Sequence, residues 1–148
     1  MGALEQLNAL RGVYEEYSAA YAQRVIDNGP LHGLHKFLLG NSTTGDRKAD
    51  TAFYKAVAQA VDSLRLSLTE GDRDTAEAAI RLMILDSRGT DPTSDLMIEA
   101  AQALAIPLIP HLTPAARGEI TAAYLARYPK KRMRSPKQRE LLAALEHT

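Results

Sequence analysis

His32 and His35 are the first side chains in this chain whose type and spacing suggest chemistry. Three residues apart on a helix, they share a face and could enter one metal shell. A zinc site needs one or two further ligands, and none stands nearby at a recognisable spacing. Gly33 between them also weakens the helix that would aim them. The pair reads as two half-exposed histidines, and no metal is expected. Gly40 and Gly45 have the GxxxxG spacing of a phosphate-binding loop. A true phosphate loop continues with Lys, which reaches the phosphates, and then Ser or Thr on the magnesium ion. Here Asp46 and Arg47 occupy those positions, and a carboxylate beside a triphosphate repels it. The stretch is read as a connection without nucleotide. Asp86, Asp91 and Asp95 fit no EF-hand spacing and lack its terminal bidentate Glu, so that segment is read as a loop that caps a helix.

The remaining chemistry is equally sparse. The chain has no cysteine, which excludes disulfides, zinc-thiolate sites and a thiol nucleophile. No Ser, His and acid set forms a recognisable motif, and His111 stands beside prolines. No catalytic residue and no cofactor is expected from this reading, although a triad built from distant residues needs no fixed spacing.

Two patches carry a positive argument. Lys130, Lys131, Arg132, Arg134, Lys137 and Arg139 crowd the C-terminal twenty residues against Glu140 and Glu146, a local charge of +4. The chain is neutral as a whole, so the other residues carry −4. Cations in such a run can release counterions from a phosphate backbone, and the following helix N-terminus adds amide donors. Against nucleic acid stand the absence of an aromatic for base stacking and the acidic body. The second patch is Tyr14, Tyr17 and Tyr21, which fall on one helical stripe. Tyrosines there either pack at the core edge or offer a partner-binding face.

The elements that must position these groups are all helices. The 24 alanines, with Leu, Glu, Lys, Arg and Gln, favour helix, whereas β-branched and aromatic residues are too scattered to furnish a sheet. Residues 3–28 form one amphipathic pattern through Leu4, Leu7, Leu10, Tyr14, Tyr17, Tyr21 and Val25, closed by Asn28-Gly29-Pro30. Residues 47–70 form another, through Phe53, Val57, Ala60, Val61, Leu64 and Leu68. Gly71 is expected as a left-handed stop, giving an antiparallel hairpin with a central helix at 72–88 opened by an Asp74-Glu77 capping box. From Ala78 to Leu85 every residue but Arg81 is apolar, so this helix must be surrounded. A helix at 95–106 is broken by Pro107 and Pro110. Thr113-Pro114 and Ser135-Pro136 open the last two, with Gln138 in a capping-box position and Leu141, Leu142 and Leu145 as a dockable face.

The sequence therefore predicts an all-α, single-domain bundle of about five to seven helices over residues 1–148, with 129–148 as a docked or mobile appendage. No window approaches the roughly 20 apolar residues of a membrane span, and the acidic amphipathic start is unlike a signal peptide. A cytoplasmic location without membrane contact is the default. The expected function is a helical protein–protein interaction or adaptor module without catalytic activity, with self-association through an exposed part of the Tyr14, Tyr17 and Tyr21 face as one form of it. The alternatives are a nucleic-acid-associated protein acting through the six tail cations, and an enzyme of unrecognised type.

Overall fold

The computed structural model describes residues 2–28, 44–86 and 95–147. His32, His35 and residues 40–43 and 87–94 lie outside them. Among the described residues there are six α-helices and no strand: α1 Ala3–Asn28, α2 Thr44–Ser67, α3 Arg73–Arg81, α4 Asp95–Gln102, α5 Pro114–Arg127 and α6 Pro136–Glu146. The all-α reading holds.

α1 turns one stripe inward, because Ala3, Leu7, Leu10, Tyr14, Tyr17 and Tyr21 recur at three- and four-residue steps and all are buried. α2 answers with Phe53, Val57, Val61 and Leu64. Tyr14 meets the Phe53 ring edge-on at 5.2 Å, and Tyr17 stacks on it at 4.2 Å. The Tyr17 hydroxyl donates to the Asp50 carboxylate at 2.8 Å. A later residue of α1 thus meets an earlier residue of α2, so the two helices run antiparallel. Among the described residues this is the most extensive helix pairing. The hairpin expected between α2 and the central helix is corrected here, since α3 packs on α1 and on residues 103–111 and touches α2 little.

The reason lies in the turn. Gly71 takes no left-handed conformation and is part of a single 3-10 turn, Glu70–Asp72. The Asp72 carboxylate accepts from both the amide and the hydroxyl of Thr69 at 2.9 Å. Those hydrogen bonds hold its carboxyl below the usual carboxylate range, the amide contributing most. The capping box is therefore Thr69 with Asp72, and not Asp74 with Glu77. Glu77 instead pairs with Arg81 at 3.4 Å.

α3 is central, as its composition demands. Ala76, Ala79, Ile80, Met83 and Ile84 are buried, and Ala78, Leu82 and Leu85 pack against the same cluster. The helix is shorter than expected and ends in a π turn, Leu82–Asp86. Widening the last turn leaves carbonyls without regular partners, and the Arg127 guanidinium donates to one of them, the Leu85 oxygen. α4 likewise stops early. It continues as tight 3-10 turns, Ala103–His111, because Pro107 and Pro110 cannot donate to a regular α-helical ladder. Ala105, Leu108 and Ile109 of this segment are buried.

The last two helices begin where their caps place them. The Thr113 hydroxyl accepts from the Ala116 amide at 3.1 Å, with Pro114 at the first helical position. The Ser135 hydroxyl accepts from the Gln138 amide at 3.2 Å, and the Gln138 side chain accepts from the Ser135 amide at 3.0 Å. Leu141, Leu142 and Leu145 of α6 are buried, each contributing roughly 1.5–3 kcal/mol relative to exposure. Residues 136–146 are thus docked on the core, to which all six helices contribute.

Candidate interaction surfaces

The basic stretch divides into two kinds of cation. Arg134 is half-buried and donates from Nε to the Tyr128 carbonyl at 2.8 Å. Arg139 donates to the Arg134 carbonyl at 3.1 Å. These two guanidiniums fix the path of the chain between α5 and α6. Lys130, Lys131, Arg132 and Lys137 are exposed, and none makes an ion pair or side-chain hydrogen bond among the described residues. The segment Lys131–Met133 is a 3-10 turn, and Met133 projects into solvent at 78 % exposure. The helix N-terminus behind it offers little to an anion. Pro136 has no amide hydrogen, and the Gln138 amide is already taken by Ser135.

Of the two readings of the tyrosine stripe, packing against the core is the one its burial agrees with. Tyr14, Tyr17 and Tyr21 are 4 %, 7 % and 7 % exposed. Tyr14 and Tyr17 spend their rings on Phe53. Their rings pack in the seam of the α1–α2 hairpin, Tyr17 face-on and Tyr14 edge-on to Phe53. The Tyr14 hydroxyl is buried with no hydrogen-bond partner among the described residues, and desolvation pushes its pKa well above the ordinary phenol value.

A buried polar cluster escaped the sequence reading. The Tyr124 hydroxyl donates to Gln102 at 2.5 Å, and Gln102 donates to the Tyr128 hydroxyl at 3.1 Å. Gln138, also buried, lies close enough to Tyr124 to influence its ionisation, and its Nε2 has no partner of its own among the described residues. Burial, followed by the neighbouring Tyr128, pushes the Tyr124 pKa upward. The available signal was positional. Gln102 lies one residue past Ala101 and three before Ala105, and Gln138 lies three before Leu141, so both fall near buried stripes. The cluster fastens α4, α5 and α6 together and opens into none of the grooves described below.

Among the described residues, two open apolar grooves are large enough to take a partner's side chains. The larger, about 660 Å³, lies between α5 and α6. Pro114, Gly118 and Ala122 recur every fourth residue along its exposed side, and Leu112, Leu125 and Leu145 form its apolar wall. A Cβ at Gly118 would meet nothing within 4 Å. Arg117 stands at this groove and also donates to the carbonyls of His147 at 2.6 Å and Ile109 at 3.3 Å. The smaller groove, about 250 Å³, runs along the α1–α2 seam over Tyr17 and Phe53.

Among the described residues no group of three His, Asp or Glu side chains could hold a metal ion, and no helix is long and apolar enough to cross a membrane. Comparison with family models, with curated proteins and with solved structures returns no match for this chain.

Proposed function

We propose that this protein is a helical interaction module that takes the apolar face of a partner's amphipathic helix into the groove between α5 and α6. One observation carries the reading: an open groove of about 660 Å³ whose exposed side is small and whose wall is leucine. Pro114, Gly118 and Ala122, spaced at four residues, let a second helix backbone approach closely. Leu112, Leu125 and Leu145 offer the apolar contact that anchors residues at i, i+3, i+4 and i+7 of a docked helix. The partner's chemistry follows: a helix with one apolar face and medium-sized aliphatic anchors.

A selection of displayed helical peptides tests this. Peptides enriched on the native chain are expected to lose binding to Gly118→Leu, whose Cβ meets nothing within 4 Å and whose side chain would occupy the groove. Ala122→Arg, at an exposed position, is expected to act in the same way. Enrichment that survives both substitutions, or no enrichment, refutes the reading.

The basic turn favours a second reading, as a nucleic-acid-associated protein. Its free cations number four rather than six, so the sequence-level patch is smaller in space than in the chain. If all four neutralise phosphates of duplex DNA, the slope of log affinity against log salt is about −3.6. A variant with Lys130, Lys131, Arg132 and Lys137 changed to Ala keeps the Arg134 and Arg139 braces and is expected to abolish any such binding. Absence of binding at low salt removes this reading.

A further inference from the structure

We propose that two copies of this chain associate face to face through the exposed side of the α1–α2 hairpin, with α1 of each copy lying over α2 of the other. This surface is separate from the α5–α6 groove and does not depend on the reading given to it.

The face is apolar where another helix layer would sit. Val13 and Ala20 on α1 and Ala49, Ala52 and Ala56 on α2 line the 250 Å³ groove, with buried Tyr17 and Phe53 beneath. Ala20 and Ala52 are exposed. Alanines on both helices allow a second pair to approach closely, as in four-helix bundles. Apolar shape alone does not identify the occupant. Charge does.

The charges flanking this face are of opposite sign on the two helices. Glu16 on α1 and Lys48 and Lys55 on α2 are exposed, and none has an ion-pair partner among the described residues. The only other charged pair on the described exposed part of α2, Asp62 with Arg65 at 2.8 Å, neutralises itself. A fitting partner must therefore be apolar along its middle, basic where it meets α1 and acidic where it meets α2. The chain's own hairpin has that pattern once it is turned by a twofold axis running along the helices.

The register agrees. Tyr17 meets Asp50 and Tyr14 meets Phe53, so Glu16 lies level with residue 51 of α2. Lys48 and Lys55 lie three residues to one side and four to the other, about 4.5 and 6 Å along the axis at 1.5 Å per residue. The twofold rotation preserves these heights and places Glu16 of one copy between the two lysines of the other. Within one copy Glu16 lines the seam groove whereas Lys48 and Lys55 do not, and no ion pair joins them among the described residues. Twofold symmetry repeats the contact on the opposite edge.

Sedimentation velocity and light scattering on the full chain, from low to high micromolar concentration, test the proposal. The expected species has twice the 16.2 kDa chain mass. Ala52→Arg is expected to yield the monomer with unchanged helical circular dichroism, because the position is exposed and Arg is a good helix former. Glu16→Lys converts attraction to repulsion on both edges and is expected to raise the dimer Kd about tenfold. Adding Lys48→Glu and Lys55→Glu to that variant is expected to restore association. A monomer at every concentration, a dimer indifferent to Ala52→Arg, or a triple variant no tighter than Glu16→Lys would each overturn it.

Discussion

Removing one oxygen from Tyr14 and one from Tyr17, two tyrosines a single turn apart, is expected to change stability in opposite directions. Both rings rest on Phe53, at 5.2 Å and 4.2 Å, and both are buried, so Tyr→Phe leaves ring packing in place at either site. The hydroxyls differ. That of Tyr14 has no partner, and an unsatisfied buried polar group carries a desolvation penalty of about 1–3 kcal/mol. Tyr14→Phe removes the penalty with the group and is expected to stabilise by about 1 kcal/mol. The Tyr17 hydroxyl donates to the Asp50 carboxylate at 2.8 Å, and a hydrogen bond to a charged group is worth about 1.5–3 kcal/mol. Tyr17→Phe is expected to destabilise by that amount. Urea unfolding followed by circular dichroism reads both, as midpoints moving apart with unchanged m. In thermal melts each kcal/mol corresponds to about 2–4 °C for a chain of this size. A destabilised Tyr14→Phe, or shifts of the same sign at the two sites, would refute the assignment of one satisfied and one orphaned hydroxyl.

Three further outcomes are expected. Gly118→Ala places a methyl where nothing lies within 4 Å, inside an α-helix, and should stabilise by about 0.5–1 kcal/mol in denaturant titration. The Asp72 carboxyl is held below its unfolded value by Thr69, so its contribution is present above the usual carboxylate range and lost as pH falls through the depressed folded value. Acid titration of Asp72→Asn should show that part of the pH dependence gone. Tyr14 and Tyr124 are raised above 10.0, so above that pH the unfolded chain binds fewer protons than the folded one and stability falls. Tyrosinate absorbance should then appear in two classes, the later one coincident with unfolding.

What was legible in the sequence was the local signals with a single physical meaning. Thr113-Pro114 and Ser135-Pro136 start helices because a hydroxyl and a proline at those positions satisfy or remove orphan amides. The α1 stripe was legible through Leu7, Leu10, Tyr14, Tyr17 and Tyr21, which at helical spacing have one way to be buried together, but it begins at Ala3 and not at Leu4, which is 63 % exposed. Gly71 was misleading because glycine permits a left-handed stop without requiring one, and Thr69 with Asp72 supplied a different turn. Nothing local distinguishes α2 pairing with α1 from α2 pairing with α3. Phe53 chose between them by fitting Tyr14 and Tyr17, which a one-dimensional pattern does not reveal. The same pairing removed the tyrosines from the surface.

Charge illustrates why the interaction surfaces were the least legible part. The C-terminal +4 counts residues, whereas a partner meets only charges left free by the fold. Arg134 and Arg139 brace the turn through carbonyls, and Arg127 and Arg117 cap backbone oxygens elsewhere. On the acidic side, Asp50 is bound by Tyr17, Asp72 by Thr69, and Glu77 and Glu119 share Arg81. Subtracting these commitments shrinks the basic patch to Lys130, Lys131 and Arg132 on one turn, with Lys137 at the start of α6. It also exposes a contrast the linear count concealed: Glu16 on α1 and Lys48 and Lys55 on α2, exposed and unpaired among the described residues, beside a strip of alanines. A chain that keeps opposite charges apart on adjacent helices, at heights that match after a twofold rotation, leaves a complementarity its own second copy can satisfy.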